Sequence, residues 1–478
     1  MMKILNKEYK LIPILFLLFF FHISTHVSAS SHDIDNSYVI AMEEGLSNNV
    51  THDLRVNFPQ LKYEYIKDIS ILKVQSNNKV YLEEALDYLK DTYKIDAVSK
   101  EKQIEAPRMD IDKNQINKPS FHDTQYNSLK SNSSDKSMDH FETWQWNINL
   151  VTNDKKSYDF QMGNHEVTVA IIDSGIDSNH PDLKENIVGK GKSFIPDEES
   201  IEDDIGHGTM VAGIISSNGK LKGIAPNTGI TPYKVINKDG GHSTWVIQAI
   251  IQAANDGHEV INISLGAYLS NKDKGEKALI KAYERAIKYA EKKGSIVVSS
   301  IGNDGIDLSN PKQVSNQLTG LNEKLFYAPG GLNIGLSVGA INKDRQLTSY
   351  SNYGRMLSVT APGGDLGPLY DYEGIVDVRY MILTTYPTYL ENYIARSGNF
   401  PKGYEFSYGT SLAAPTVSAV MALILAEYEE EKNRKLPIHK AEKILFQTTF
   451  KNNQNNKGKL FGAGIVDAYE ALTIINTK

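Results

Sequence analysis

Three short segments of this 478-residue chain put an acid, a base and a nucleophile where the backbone can present them. Asp173 lies in AIIDSGID, directly after an apolar run, and the glycine at 175 supplies a tight turn that can bury and orient a carboxylate. His207 stands between Gly206 and Gly208 in DIGHGTMVAG, ahead of an apolar helical pattern. Ser411 follows a glycine turn in YGTSLAAP, at the start of a long helical stretch. Singly, each has an ordinary reading: a helix cap, a structural histidine, another helix cap. Together they are the residue types that nucleophilic catalysis requires, a weak hydroxyl with a base and a group to orient that base.

Such residues need a scaffold to bring them together. From about residue 141 the sequence alternates apolar strands with amphipathic helices. VTVAIID, HEVINISLG and GSIVVSSIG are continuous apolar runs, as expected for strands buried on both faces of a parallel sheet. ALIKAYERAIKYAEKKG reads as a helix ending at Gly294, and SLAAPTVSAVMALILAEYEE as a long central helix. The alternation predicts an α/β fold, a parallel sheet with helices on both faces, with functional residues at the carboxyl ends of the strands.

Upstream, residues 36–107 predict a separate α+β unit. SYVIAMEE, KYEYIK, ISILKVQ and KIDAVSKEKQIE read as strands. SNNVTHDLRVNF reads as a helix capped by Ser47 or Asn48. YLEEALDYLKD reads as a second helix with Leu82, Ala85, Leu86 and Leu89 on one face. That order, β-α-β-β-α-β, is the ferredoxin-like pattern. Residues 109–140 are rich in Asn, Ser, Asp and Lys with no apolar period, and read as a polar linker.

The N-terminus carries Lys3, Lys7 and Lys10, then the apolar run LIPILFLLFFFHIS, then the small residues VSAS. This predicts a signal peptide, residues 1–29, cut after Ala29, and a secreted, extracellular product. The run is short for a bilayer span, and the tail TIINTK has no cell-wall sorting pattern, so no stable membrane anchor is expected. A net charge of −7 argues against a nucleic-acid partner. The absence of cysteine excludes disulfides and thiolate metal sites. HEVTV at His165 lacks the second histidine of a zinc site, and GKGKS near Gly191 lacks the first glycine of a phosphate loop.

DSGID, HGTMVAG and GTSLAAP, in that order, resemble the three signature blocks of the subtilisin-like serine proteases (peptidase S8). ISLG, SSIGND and GAGIVDAYEAL resemble further segments of that family. The resemblance covers about residues 141–478, the catalytic domain, and residues 30–108 are similar to the family's inhibitory propeptide. It implies that Asp173, His207 and Ser411 form a catalytic triad and that Asn303 donates to the oxyanion. Ser264, Leu265 and Gly266 would line the substrate cleft, and Ser299, Ser300 and Ile301 one wall of the primary specificity pocket. The chemistry needs no cofactor. Asp182 in HPDL matches one ligand of the family's tight calcium site, but IISSNGKLKGIAP is shorter than the matching segment of calcium-dependent members. That speaks against the tight site and leaves a structural calcium elsewhere open. Met210 replaces a second histidine that many members carry. DGIDLSNPKQVSNQLTGLNEKLFYAPG and YLENYIARSGNFPKGYEFSY look inserted beside motif residues, either shaping the cleft or merely decorating the surface.

The segment EAPR, ending at Arg108, resembles the leader ends of epidermin-type lantibiotic precursors, and the whole layout resembles the lantibiotic leader peptidases. The expectation is a monomeric leader peptidase that cuts after Arg and matures between Arg108 and Met109, with Lys130 and Lys136 as rival sites. Its partners would be a lantibiotic precursor as substrate and its own propeptide as inhibitor. A buried guanidinium needs a carboxylate, and Asp304, then Asp307, are the candidates. A broad secreted protease is the competing enzymatic reading, and a catalytically silent binding module the non-enzymatic one.

Overall fold

The computed structural model of the chain describes residues 36–43, 49–106, 140–272, 275–451 and 458–477. The segment expected to be a signal peptide, residues 1–29, together with Ser47, Asn48, Arg108, Met109 and the expected linker through residue 139, lies outside them.

The N-terminal unit has the ferredoxin-like arrangement that its pattern predicts. Strands β1 (Ser37–Met42), β2 (Lys62–Ile66), β3 (Ile71–Gln75) and β4 (Ile95–Lys100) form an antiparallel sheet in the order β2-β3-β1-β4. Period-two alternation divides its faces. Ile40 and Met42 pack on the helices Val50–Asn57 and Lys79–Thr92, against Leu54, Leu82, Leu86 and Leu89. Val39 and Ala41 face the other way, into a core shared with the rest of the protein.

KIDAVSKEKQIE does not run as one strand. It breaks after Lys100, and β5 (Gln103–Ile104) leaves the sheet. The cause is the start of the helix Ser243–Asn255, whose first amides lack helical partners. The Ser243 amide donates to the Lys102 carbonyl at 2.9 Å, and the Thr244 amide to Glu101 Oε1 at 3.4 Å. A carboxylate is also favoured there by the helix dipole.

In the larger unit, β6 (Thr168–Asp173), β7 (Lys192–Ser193) and β8 (Gly229–Lys234) precede the short β9 (Ile236–Asn237) and β10 (Gly240–His242). Then follow β11 (Val260–Ile263), β12 (Ala267–Ser270), β13 (Ile296–Ser300), β14 (Leu325–Ala328), β15 (Leu336–Ile341) and β16 (Val359–Pro362). Seven of them form a wholly parallel sheet in the order β16-β15-β13-β11-β6-β8-β7. On one face lie the helices His207–Ser216 and Thr410–Lys432, packed on Val169, Ile171, Val260 and Val298. On the other lie Ser243–Asn255 and Lys277–Lys293, packed on Ala170, Ile172, Ile261 and Val297. Gly294 ends the last of these at φ +100°.

The N-terminal sheet lies over this second pair of helices. Arg285 holds it: Nη1 donates to the carbonyls of Met42 at 2.8 Å and Ile69 at 3.1 Å, and Nη2 pairs with Asp96 at 2.7 Å. β5 then adds antiparallel to β10, Ile104 opposite Gly241, in a three-stranded sheet with β9.

Candidate active site

Three neighbouring strands, β6, β11 and β13, open their carboxyl ends side by side, the usual place for function in such a sheet. β6 ends on Asp173, which is fully buried. Its Oδ1 accepts from the Ser174 amide at 2.8 Å and from His207 Nδ1 at 2.7 Å. The turn after it passes through Gly175 at φ +99°, where a Cβ would lie 2.3 Å from the Ile201 carbonyl, so only glycine fits.

His207 is the first residue of its helix, and Gly206 before it has φ +103°. The helix start is satisfied by Asp203, fully buried four residues upstream. Asp203 Oδ1 accepts from the Gly206 amide at 2.7 Å, the Ile205 amide at 3.1 Å and Ser174 Oγ at 2.8 Å. Oδ2 accepts from the Thr209 amide at 2.8 Å and Thr209 Oγ1 at 2.7 Å. Sequence reasoning passed over Asp203, although an acidic residue just ahead of a helix is a capping signal. Burial disfavours the His207 imidazolium, but the charge and hydrogen bond of Asp173, with the charge of Asp203, outweigh it. The His207 pKa is therefore held above its ordinary value. Burial raises the Asp203 pKa, against the bonds from Gly206, Thr209 and Ser174.

Ser411 is the second residue of the helix Thr410–Lys432, after Gly409 at φ +144°. A Cβ on Gly409 would lie 3.1 Å from Ser411 Oγ, 3.4 Å from Asn303 Nδ2 and 3.8 Å from the Ser411 amide nitrogen. One open position is thus bordered by a hydroxyl and two N–H donors. Asn303 Oδ1 accepts from the Thr410 amide at 2.9 Å and Thr410 Oγ1 at 2.7 Å, which leaves Nδ2 free to donate into that space. Pro415 has no N–H to give the Ser411 carbonyl four residues back. Ser264 Oγ takes that role at 2.8 Å, and itself accepts from Asn262 Nδ2 at 3.0 Å.

The other expected positions gather around this centre. Ser264 and Leu265 are buried at the end of β11, and Gly266 leads into β12. Ser299 and Ser300 end β13, and Ile301 is buried just before Asn303. Asp304 is exposed; its Oδ2 accepts from Tyr268 Oη at 2.6 Å and Asn352 Nδ2 at 3.3 Å. Asp307 is engaged elsewhere, accepting from the Ser309 amide at 2.8 Å and pairing with Lys459 at 3.5 Å. Burial opposes its charge, but the Ser309 and Lys459 bonds keep its pKa below the usual carboxylate value.

Both inserted stretches pack against neighbouring structure. The first forms the helix Pro311–Thr319 and β14, which pairs with β12. In the second, Tyr389 Oη donates to the Asp203 carbonyl and accepts from its amide, both at 3.0 Å. Met210 is buried with Ile214, Ile382 and Leu412 and takes an apolar role.

The residues at Asp182 do not suit calcium. Tyr404 Oη lies 3.1 Å from both carboxylate oxygens, and the Leu221 amide donates to Oδ2 at 2.9 Å. A Cβ on Gly219 would lie 2.0 Å from Asp182 Oδ1, so the loop closes on the carboxylate itself. Among the described residues no group of three or more His, Cys, Asp or Glu is placed to hold a metal ion.

Acyl transfer through a serine is the chemistry that such a centre, at the open end of a parallel sheet, is built for: the protein is a serine endopeptidase of α/β architecture. More narrowly, the chain belongs to the subtilase family, which matches residues 164–464. It is 34% identical over 355 residues to the epidermin leader peptide-processing serine protease of Staphylococcus epidermidis, covering 69% of this chain and 74% of that one. It is 34% identical over 331 residues to the nisin leader peptide-processing serine protease of Lactococcus lactis subsp. lactis, spanning 47% of that protein's length. The crystal structure of an epidermin leader peptide-processing serine protease from Staphylococcus aureus is similar at a TM-score of 0.73 and 30% identity, over 93% of this chain and 99% of that one.

Proposed function

We propose that this enzyme removes the leader from a lantibiotic precursor, cutting after Arg, and that it is secreted as a self-inhibited monomeric precursor. Residues 1–29 are then the signal peptide, 30–108 the inhibitory propeptide, 109–140 the linker and 141–478 the catalytic domain.

The observation that carries the reading is β5. Its pairing with β10 adds an extended segment to a sheet edge, as a peptide substrate adds a strand. Ile104 belongs to the buried cluster that holds Leu265, in the segment assigned to the substrate cleft, and the partly buried Ala106 packs against that cluster. The chain then continues to Pro107 and Arg108, the dipeptide with which epidermin-type leaders end. The two relatives named for leader processing support the same substrate class.

In the proposed reaction, His207 Nε2 takes the proton of Ser411 as Oγ attacks the carbonyl carbon after Arg. Asp173 holds the imidazole through Nδ1 and stabilises the imidazolium. Asn303 Nδ2 and the Ser411 amide receive the developing oxyanion, and His207 returns the proton to the leaving amine. Water then hydrolyses the acyl-enzyme by the same path.

The test is to incubate the mature enzyme with a lantibiotic precursor peptide and, separately, with casein, and to read the products by mass spectrometry. A single cut after the leader's terminal Arg is expected. Scattered cleavage of both substrates would make this a broad protease. N-terminal sequencing of the mature protein should begin at Met109; a first residue after Lys130 or Lys136 would leave EAPR without a role.

A further inference from the structure

We infer that Tyr268 and Tyr327 determine the preference for Arg, a reading that deepens the proposed function and rests on it. Tyr327 forms the floor of the specificity pocket, and Tyr268 is a positioning residue that sets Asp304 for the guanidinium.

Two glycines border this pocket, Gly266 at the end of the cleft segment and Gly302 just before Asn303. A Cβ on Gly266 would lie 2.5 Å from Tyr327 Cζ and 2.6 Å from its Oη, and a Cβ on Gly302 would lie 3.0 Å from Cζ. The phenol end of Tyr327 therefore stands between the two backbone walls, and both walls must be glycine to admit it. The antiparallel pairing of β12 with β14 puts Tyr268 directly opposite Tyr327, their rings 5.1 Å apart and inclined at 66°. The first inserted stretch thus delivers the floor of the pocket.

Tyr268 continues the arrangement to the rim. Asn352, fully buried, accepts the amides of Asp304 and Ile306 on Oδ1 at 3.1 and 3.0 Å, fixing the turn. Its Nδ2 donates to Tyr268 Oη at 3.0 Å, and Tyr268 Oη donates to Asp304 Oδ2 at 2.6 Å. Donors in series polarise one another and orient the last acceptor. Asp304 Oδ1 takes no hydrogen bond from a described residue, so it stays available to a ligand. Burial, then the bond and charge of Asp304, raise the Tyr268 pKa, so the phenol remains a donor.

This pairing of an aromatic floor with an oriented carboxylate suits a guanidinium. Its plane stacks on a ring while its edge bonds a carboxylate, whereas an ammonium has no plane to stack. The arrangement favours Arg over Lys as well as over Leu.

The experiment measures kcat and KM for peptides that differ only in Arg, Lys or Leu before the scissile bond. The enzymes are the parent, Tyr268→Phe, Tyr327→Phe and Tyr327→Ala. Tyr268→Phe should lower the Arg-to-Leu ratio of kcat/KM about tenfold, the worth of one hydrogen bond to a charged group, mainly through KM. Tyr327→Ala should lower the Arg-to-Lys ratio, and Tyr327→Phe, which keeps the ring, should restore it. A parent enzyme without Arg preference would overturn the leader-peptidase reading and this inference together. A parent that prefers Arg, with variants that slow all three peptides equally, would overturn the inference alone, because the tyrosines would then be only structural.

Discussion

Around Asp203, five donors from four residues converge on one buried carboxylate. At the interface with the N-terminal unit, one guanidinium, Arg285, spans the carbonyls of two separate segments and a single aspartate. The rest of that interface joins apolar side chains such as Val39, Ala41 and Ile71 with the short β5 pairing and scattered polar contacts, among them the Ala278 amide to Ser99 Oγ at 2.7 Å, Lys73 Nζ to Thr244 Oγ1 at 3.2 Å and the Glu101 and Lys102 bonds to the start of the helix Ser243–Asn255. The first arrangement fixes a geometry, because every donor comes from a strand end or helix start that cannot move independently. The second holds through apolar area and polar contacts spread over separate residues, of which Arg285 makes the most. Rigid polar satisfaction suits a centre whose reacting atoms must stay in register. Apolar area with dispersed polar anchors suits the proposed propeptide role, in which the segment first binds and later leaves.

If the comparison is right, changes at the centre should alter turnover and changes at the interface should alter inhibition. The largest effect belongs to Ser411→Ala, which removes one oxygen at a helix start and should leave a folded protein. Peptide hydrolysis should fall by at least several orders of magnitude, and the purified precursor should stay uncut. Maturation of that variant on its own would end the idea of self-processing. Asn303→Ala should lower kcat on the order of 10²–10³-fold, a magnitude known from subtilisin itself, with little change in KM. Equal kcat in variant and parent would remove the amide from the reaction.

Arg285→Ala tests the other side. Its loss deletes charge-assisted bonds to both segments, so inhibition of the mature enzyme by separately made residues 36–107 should weaken about ten- to a hundredfold. Hydrolysis of a short peptide should be unaffected. An unchanged inhibition constant would show that apolar area and the remaining polar contacts hold the unit without Arg285.

The smallest effect is on pH. Hydrolysis needs neutral His207, so its rate should rise with pH along a limb placed above the ordinary histidine value of about 6.5. Asp203→Asn removes an anion that favours the imidazolium, so the limb should move to lower pH. A limb that stays put would mean that Asp203 acts only as a cap.

Much of the architecture was legible in order and period alone. Continuous apolar runs marked the parallel strands, the β-α-β-β-α-β order marked the N-terminal unit, and three glycine-flanked motifs marked Asp173, His207 and Ser411. Those signals are local, because strand and helix periodicity and turn chemistry act within a few residues. The departure of β5 from its sheet was not legible, since the helix start that captures Glu101 and Lys102 lies about 140 residues away. Nor was the union of Tyr404 with Asp182, 222 residues apart, which sets a phenol against both carboxylate oxygens. The placement of Tyr327 between Gly266 and Gly302 depends on the register of β12 on β14, which no spacing in the chain encodes. The sequence by itself determined most of the elements, through short-range propensity and pattern, and marked the candidate reacting residues through motifs that resemble those of a family. Tertiary structure alone decided which distant polar groups meet, because such pairs form only where packing and register leave a donor and an acceptor facing each other.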